Sequence, residues 1–414
     1  MVNLRYRKIL NKVIKFLDDD ETIAIHGSRQ VGKTSLLHYL IDNYLKKNTT
    51  LSNIFYFDLE DFALLDLCNQ GPDEVIKYLK GKGADFNEKV YLLIDEIQYI
   101  ENPSSFLKLC YDRYKNRIKM VVTGSSSFLV KKKFKDSLVG RIIDFELFPL
   151  DFEEFLNFKD KTYNLMPESG TVHNEILPWY EEYVLYGGYP AIVLEENLEK
   201  KEIKLKQILN TYVKKDIRDI ASIRDVVKFN NLLRILASQS ANLLNITELS
   251  NTLGISKETV ENYIFILEST YIVKRIYPFH RNIRSELTKM PKMFFEDTGL
   301  LNILINKTFS QTITGQLLET NVYTLLRKNL DPENINFWRT NNGQEIDFIL
   351  NLPRNKTVPV EVKSNYLKKH LRPLQYFLEQ YSLAEGYLCY LRKSDEMPKE
   401  KVRIIFPWEI FRLF

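Results

Sequence analysis

Residues 27–35 of this chain read Gly27-Ser28-Arg29-Gln30-Val31-Gly32-Lys33-Thr34-Ser35. The stretch fits the pattern Gly-x-x-x-x-Gly-Lys-Ser/Thr, and it lies between a predicted strand, residues 21–26, and a predicted helix, residues 33–44. Glycines allow such a loop to wrap around a phosphate, while the loop amides and the helix N-terminus direct positive dipoles at it. We therefore predict that residues 27–35 bind a nucleotide, with Lys33 reaching the β- and γ-phosphates and Thr34 ligating Mg²⁺.

An apolar strand that ends in two carboxylates is the second informative feature. Residues 90–96 read Val90-Tyr91-Leu92-Leu93-Ile94-Asp95-Glu96. We predict that Asp95 holds Mg²⁺, directly or through water, and that Glu96 polarises the attacking water as general base. Together with a phosphate-binding loop, this arrangement predicts ATP hydrolysis. The alternative is a glycine-containing turn and a strand end without chemical roles.

Two further positions are candidates for roles in hydrolysis. Thr123 ends the next apolar run, residues 119–123, and a hydroxyl in residues 123–127 could sense the γ-phosphate; a simple strand-to-turn transition is the alternative. Arg141 could supply positive charge in the transition state, from the same chain or from a neighbouring subunit, and a surface salt bridge is the alternative. The basic run at residues 131–135 is more typical of a solvated surface than of a binding patch.

The N-terminal part of the chain alternates predicted strands and helices. Short apolar runs of buried-strand length occur at residues 21–26, 53–59, 90–94 and 119–123. Such runs are typical of parallel strands whose two faces are both covered by helices and whose crossovers are right-handed. We therefore predict an α/β fold with a parallel sheet for this part.

The middle of the chain has a mostly helical pattern. Residues 246–260 predict a helix, a turn at Gly254 and a second helix that Ser256 can cap, and residues 271–276 predict the wing strand of a winged helix. The candidate recognition helix has a local charge of −2, from Lys257, Glu258, Glu261 and Glu268. Because phosphate contacts dominate affinity for DNA, we favour a packing role for this helix over DNA reading. The basic residues of 212–219 could contact nucleotide or nucleic acid, but we favour a surface face for them as well.

The tail holds a second set of charged residues. Asp347 lies in a predicted strand, residues 345–350, and 14 residues later Glu361 begins a Glu-x-Lys sequence in which Glu361 and Lys363 share one strand face. Asn342-Gly343 is a hairpin signal just before the Asp347 strand. If the strands of Asp347 and Glu361 pair, the two carboxylates can bind a second Mg²⁺, and Lys363 can orient water or steady phosphate charge. Glu319, on a predicted helix at residues 314–328, is a fourth candidate.

Composition limits the class of protein. The chain has 414 residues, 58 Lys and Arg against 54 Asp and Glu, and a net charge of +4, which permits a nucleic-acid partner without favouring one. Cys68, Cys110 and Cys389 form no Cys-x-x-Cys pair, so neither a zinc knuckle nor a disulfide scaffold is predicted. The N-terminal segment lacks the apolar core of a secretory signal, and the longest aliphatic runs are far shorter than a membrane span. We therefore expect a cytoplasmic protein without a membrane segment.

Several of these motifs occur together, in the same order, in a known family. They are residues 27–34, Leu93-Ile94-Asp95-Glu96-Ile97-Gln98, residues 123–127, Gly140-Arg141, Phe148-Pro149-Leu150, Phe152-Glu153-Glu154-Phe155 and Gly187-Gly188-Tyr189-Pro190. The chain thereby resembles a family of prokaryotic AAA-type ATPases that carry a C-terminal domain of unknown function. The resemblance implies an ATPase fold of the AAA+ or closely related STAND kind. In the tail, Glu319, Asp347, Glu361 and Lys363 resemble the residue set of the PD-(D/E)XK nuclease fold.

Together these features predict three domains. They are an AAA-type P-loop ATPase domain at residues 1–195, a helical winged-helix-like domain at residues 196–304, and an α/β domain at residues 305–414 that resembles restriction endonucleases. We expect ATP and Mg²⁺ as ligands, ATP hydrolysis as the activity, and DNA or RNA as candidate partners. The alternative is a non-catalytic, nucleotide-dependent switch with a degenerate nuclease-like tail. Assembly into a homo-oligomer is left open.

Overall fold

The computed structural model shows two compact units, Met1–Phe148 and Pro149–Phe414. It describes residues 4–125, 138–166, 170–211, 225–279, 290–340, 342–365, 367, 370–392 and 401–414. The predictions made for Ser126, Ser127 and residues 131–135 and 212–219 lie outside these ranges. The predicted domain boundaries at residues 195 and 304 both fall inside the second unit and stay predictions. Within the described ranges, no helix is both long and apolar enough to cross a membrane.

The first unit is built on a five-stranded parallel sheet. Its strands are β1 (Thr22–Gly27), β2 (Ile54–Asp58), β3 (Val90–Asp95), β4 (Ile118–Ser125) and β5 (Ile142–Glu146), in the spatial order β2-β3-β4-β1-β5. Every residue of β1 and β3 is buried, as expected for strands with helices on both faces. The predicted α/β fold with a parallel sheet is therefore confirmed.

Helices cover the faces of this sheet. Local signals fix where two of these helices begin. Pro72 occupies the first position of one helix, and Asn102 caps another by accepting a hydrogen bond from the amide of Ser105. Aliphatic and aromatic side chains between helices and strands form the core, with Leu79, Leu92 and Leu107 at most 1% exposed. The helices are Leu10–Val13, Lys33–Leu40, Lys46–Asn48, Phe62–Asn69, Pro72–Gly81 and Pro103–Tyr114.

In its described residues, the first part of the second unit consists mostly of helices and contains one small sheet. Strands β6 (Val273–Ile276) and β7 (Lys292–Phe295) pair antiparallel, and an isolated bridge joins Leu243 to Lys292. Gly254, with a φ of 60°, ends one helix, and the Ser256 hydroxyl caps the next. The helices are Phe152–Phe158, Gly170–Tyr186, Pro190–Val193, Leu198–Thr211, Val226–Ser238, Ile246–Leu253, Lys257–Ser269 and Thr298–Asn306.

The tail of the second unit is a mixed five-stranded sheet with two helices, Gly315–Arg327 and Leu371–Gln380. Its strands are β8 (Ile335–Arg339), β9 (Glu345–Leu352), β10 (Lys356–Lys363), β11 (Gly386–Tyr390) and β12 (Val402–Ile405). β8, β9 and β10 pair antiparallel, whereas β10, β11 and β12 pair parallel, in the order β12-β11-β10-β9-β8. Gly343 lies in the β8–β9 turn, where its amide donates to the Thr340 carbonyl over 3.1 Å.

Candidate functional site

The predicted phosphate loop connects the C-terminal end of β1 to the helix Lys33–Leu40. Gly32 precedes this helix with a φ of 96°, in the left-handed region that favours glycine. The buried Lys33 ammonium group folds back over the loop and donates to the carbonyls of Gly27 at 3.1 Å and Ser28 at 2.9 Å. The loop therefore presents the helix N-terminus and one buried cation on the same side, which suits a polyphosphate.

The Asp95 carboxylate joins four elements of the first unit. Its Oδ2 accepts from Thr34 Oγ1 at 2.5 Å and from the Tyr56 hydroxyl at 3.2 Å, and its Oδ1 accepts from Thr123 Oγ1. Because β4 lies between β1 and β3, the phosphate loop, the Asp95 carboxylate and the Thr123 hydroxyl meet at the edge of the sheet where these parallel strands have their C-terminal ends. Hydroxyl and carboxylate oxygens are ligands that Mg²⁺ prefers, so Thr34 and Asp95 fit this cation.

Glu96 follows β3 in a left-handed conformation, with a φ of 57°. Its amide donates to Thr123 Oγ1 over 3.3 Å, and its carboxylate accepts from the Gln98 side-chain amide. Gln98 therefore orients the carboxylate that was predicted to activate water. The sequence motif contains Gln98, but no role was predicted for it, because only the turn after β3 brings its side chain back to Glu96.

Tyr56 on β2 is a site residue that was not predicted. Burial, followed by the Asp95 and Asp58 carboxylates, raises the pKa of Tyr56, so its hydroxyl stays protonated and donates to Asp95. A second unpredicted residue is Arg7, which donates to the Val31 carbonyl at 2.9 Å and to the Phe148 carbonyl at 2.8 Å and so supports the phosphate loop. Neither residue has a local signal, since both act through the folded sheet.

Arg141 lies far from the phosphate loop in the same chain. Its carbonyl accepts from the Thr22 amide at the N-terminal end of β1, whereas the loop leaves the C-terminal end at Gly27. At about 3.3 Å per residue these ends are roughly 17 Å apart. The Arg141 guanidinium pairs with Asp112 at 2.8 Å, which is the surface salt bridge considered as the alternative. A role from a neighbouring subunit stays a prediction.

In the tail, the structure brings Asp347, Glu361 and Lys363 together. Glu361 Oε2 accepts from the Asp347 amide at 3.3 Å, and Asp347 Oδ2 accepts from the Val362 amide at 2.8 Å across the β9–β10 ladder. Lys363 Nζ lies 3.1 Å from Asp347 Oδ2 and 2.6 Å from Glu361 Oε1. Burial, followed by the Asp347 charge, raises the pKa of Glu361.

Glu319 reaches the same cluster from the helix Gly315–Arg327, but its direct partner is Lys292 on β7. Lys292 Nζ lies 3.0 Å from Glu319 Oε1 and 2.5 Å from Glu345 Oε1. Burial disfavours the charged form of Lys292, but the carboxylates of Glu319, Asp347 and Glu345 outweigh it and raise its pKa. Burial, followed by the Asp347 charge, raises the pKa of Glu319 as well.

The tail carboxylates do not fit a divalent cation in this arrangement. Asp347, Glu361 and Glu319 each lie within 3.1 Å of a lysine ammonium group, which already neutralises them. Across the described part of the chain, no group of three or more His, Cys, Asp or Glu side chains is arranged to hold a metal ion. Lys292 was not predicted as a member, although a lysine inside the apolar run Met290 to Phe295 is an available signal.

Models of three protein families match consecutive parts of this chain. They describe an AAA domain at residues 19–156, a domain of unknown function (DUF8612) at residues 177–311 and another (DUF4143) at residues 314–411. Among solved structures, the Aeropyrum pernix ORC1 protein in complex with DNA is 12% identical, with 71% of this chain and 90% of that chain covered and a TM-score of 0.31. Cdc6p from Pyrobaculum aerophilum is 13% identical, with 70% and 91% covered and a TM-score of 0.32. Likenesses at these TM-scores support no statement about this chain.

Similar proteins cover most of the chain. The uncharacterized protein MJ1637 of Methanocaldococcus jannaschii is 26% identical over an alignment of 434 positions, which covers 99% of this chain and 88% of that protein. An uncharacterized protein of Haemophilus influenzae is 28% identical over 303 residues, 72% of each chain. The uncharacterized protein MJ1544 of Methanocaldococcus jannaschii is 30% identical over 401 residues, 94% of this chain and 86% of that protein. This chain therefore belongs to the same family as MJ1544, and its first unit is an AAA-type P-loop ATPase domain.

Proposed function

We propose that the protein hydrolyses ATP with Mg²⁺ at the edge of the parallel sheet where residues 27–35 meet Asp95. The observation that carries this proposal is the 2.5 Å hydrogen bond from Thr34 Oγ1 to Asp95 Oδ2, which joins the phosphate loop to the acidic end of β3. Thr34 and Asp95 are the residues that would hold Mg²⁺. When bound, Mg²⁺ neutralises charge that develops on the phosphates.

The other residues of the edge then have separate tasks. Lys33 exchanges the carbonyls of Gly27 and Ser28 for the β- and γ-phosphates of ATP. Glu96, oriented by Gln98, accepts a proton from the attacking water. Thr123, which contacts both Asp95 and the Glu96 amide, is positioned to respond to the γ-phosphate. Arg141 is proposed to act only from a neighbouring subunit.

Phosphate release and nucleotide binding, measured on the same variants, test this proposal. Lys33→Ala is expected to lose ATP binding, whereas Glu96→Gln is expected to bind ATP and release phosphate at least 100-fold more slowly, in the range of general-base catalysis. Lys46→Ala is the matched control, because Lys46 is half exposed and pairs with Asp42, four residues earlier in the chain. Unchanged phosphate release in Lys33→Ala or Glu96→Gln would reject the assignment.

We propose that the domain predicted at residues 196–304 is winged-helix-like and has a packing role. Support comes from the helices Val226–Ser238, Ile246–Leu253 and Lys257–Ser269, followed by β6 and β7. Arg275 on β6 pairs with Glu261 and Glu268 at 2.8 Å each, so the wing holds two of the three acidic side chains of the candidate recognition helix. ATPase rates with and without duplex DNA test this role. Strong stimulation that is lost in Lys257→Ala would favour DNA reading instead.

A second candidate function is nucleic-acid processing by the tail. The order helix, β8, β9, β10, helix, β11 and the charged group on β9 and β10 support a PD-(D/E)XK-like fold, with Lys363 placed between two carboxylates. Fold and residues alone do not establish cleavage, and the tail carboxylates are already neutralised by lysines. A binding module or a nucleotide-dependent switch therefore remains the alternative for this part.

Degradation of plasmid and single-stranded DNA and RNA tests the second candidate. Activity of the unaltered protein that is lost in Asp347→Ala would support cleavage by the tail. Equal activity in the two proteins would indicate a contaminant. Glu385→Ala serves as a control next to the same sheet, because Glu385 precedes β11 and pairs with Arg403, outside the charged group of β9 and β10.

A further inference from the structure

Lys292 is a buried cation that reaches the tail carboxylates from outside the tail. It belongs to β7, where it pairs with Ile276 of β6 and bridges to Leu243, and its side chain is only 3% exposed. A lysine is almost never buried to this degree unless it is paired. Its position therefore depends on the carboxylates that it contacts.

The contacts of Lys292 place its charge inside the tail cluster. The ammonium group lies 3.0 Å from Glu319 and 2.5 Å from Glu345, and 5.5 Å from the centre of the Phe337 ring. Asp347 is among the carboxylates whose charge acts on it. Lys292 thus links the helix Gly315–Arg327 to the start of β9, on the side of the sheet where Asp347 lies.

Two ammonium groups contact this cluster, one from β10 and one from β7. Lys363 pairs with Asp347 and Glu361, and Lys292 pairs with Glu319 and Glu345. A divalent cation that entered between Glu319 and Asp347 would stand beside both ammonium groups, at a place shielded from water. Like charges repel strongly at short range in such a medium. Binding would therefore require one ammonium group to leave, and Lys363 is the more exposed of the two at 31%.

We propose that Lys292 is an internal counter-ion that takes the place of a divalent cation, so that the tail does not bind divalent cations while Lys292 is present. Because Lys292 lies on β7, this counter-ion is supplied by the small β6–β7 sheet. Cation binding by the tail is independent of ATP hydrolysis in the first unit. If Lys292 excludes divalent cations, the tail acts as a binding module or switch and not as a metal-dependent nuclease.

Binding of Mn²⁺ alone, measured from the electron paramagnetic resonance signal of free Mn²⁺ without nucleotide, tests the proposal. Mn²⁺ binding that is lost when Asp347→Asn is introduced is assigned to the tail. We expect the unaltered protein to show no Asp347-dependent binding at about 1 mM Mn²⁺, a concentration on the order of the Kd of the weakest protein sites for hard cations. In Lys292→Met we expect one Asp347-dependent Mn²⁺ site, with a Kd at least tenfold below this limit. Lys274→Met on the paired strand β6 should behave like the unaltered protein.

A second variant and a second measurement protect the test against misfolding. Lys292→Gln keeps N–H donors for Glu319 and Glu345 without the charge, and it should gain the same Mn²⁺ site. Mn²⁺ should also raise the unfolding temperature of either Lys292 variant, because a ligand that binds only the folded state stabilises it. Asp347-dependent binding by the unaltered protein as tight as in Lys292→Met would overturn the proposal. So would the absence of any gain in both variants, in binding and in unfolding temperature.

Discussion

The Asp95 carboxylate shows how single hydrogen bonds define the candidate ATPase site. Thr34 and Tyr56 both donate to Oδ2, and Thr123 donates to Oδ1. Thr34 is a ligand candidate itself, whereas Tyr56 can only hold the carboxylate in place. Groups that orient a metal ligand in this way commonly change metal affinity or activity by about 10–100-fold when removed.

Removal of the Tyr56 hydroxyl is therefore expected to weaken Mg²⁺ binding more than catalysis. In Tyr56→Phe, the Mg²⁺ concentration for half-maximal ATP hydrolysis should rise about tenfold. The rate at saturating Mg²⁺ should change little, because Glu96 and Lys33 are untouched. Tyr111→Phe, on the helix Pro103–Tyr114, is the control. An unchanged Mg²⁺ dependence in Tyr56→Phe would show that Tyr56 does not position Asp95.

At the scale of elements, the motif Gly187-Gly188-Tyr189-Pro190 has a packing explanation. Gly187 ends the helix Gly170–Tyr186 with a φ of 77°, and the Gly188 amide donates to Asp297 Oδ2 over 2.8 Å. Asp297 also caps the helix Thr298–Asn306 by accepting from the Leu300 amide over 3.0 Å. One buried carboxylate therefore joins the end of one helix to the start of another.

This junction leaves no room for a side chain at residue 187. A Cβ on Gly187 would lie 2.3 Å from Asp297 Oδ1, whereas a Cβ on Gly343, which has a similar φ of 81°, would meet no atom within 4 Å. Gly187→Ala should lower the free energy of unfolding of the second unit by about 3 kcal/mol, from backbone strain and overpacking. Gly343→Ala should cost about 1 kcal/mol, from strain alone. Equal losses in urea denaturation would contradict this account.

The positions of strands and helices could be predicted where local sequence signals determine them. The strand that became β3 ends in Asp95 as expected, and the helix predicted at residues 314–328 is Gly315–Arg327, because apolar periodicity and end signals are local. In the tail, the period of two placed Glu361 and Lys363 on one face of β10. Tyr56, Arg7 and Lys292 could not be predicted in this way. Each acts on residues at least 24 positions away, and only the folded sheets bring the groups together.

At the scale of the whole molecule, the two compact units predict two unfolding transitions. The phosphate loop, Asp95 and Glu96 all belong to Met1–Phe148, so a nucleotide should stabilise this unit directly. At a ligand concentration of about 100 times Kd, the stabilisation is about 2.7 kcal/mol. For a unit of this size, that corresponds to a rise in unfolding temperature of roughly 8 °C.

Calorimetry of the full chain with MgATP can separate the two transitions. The variant Glu96→Gln should be used, because it is expected to bind ATP without consuming it during the scan. One transition should rise by roughly 8 °C while the other stays in place. Adding Lys33→Ala should abolish the rise, since Lys33 contributes to phosphate binding. Gly187→Ala should instead lower only the transition that ATP leaves unchanged. If a single transition moved as a whole, the units would unfold together, and binding at the loop would stabilise the carboxylate cluster of the tail as well.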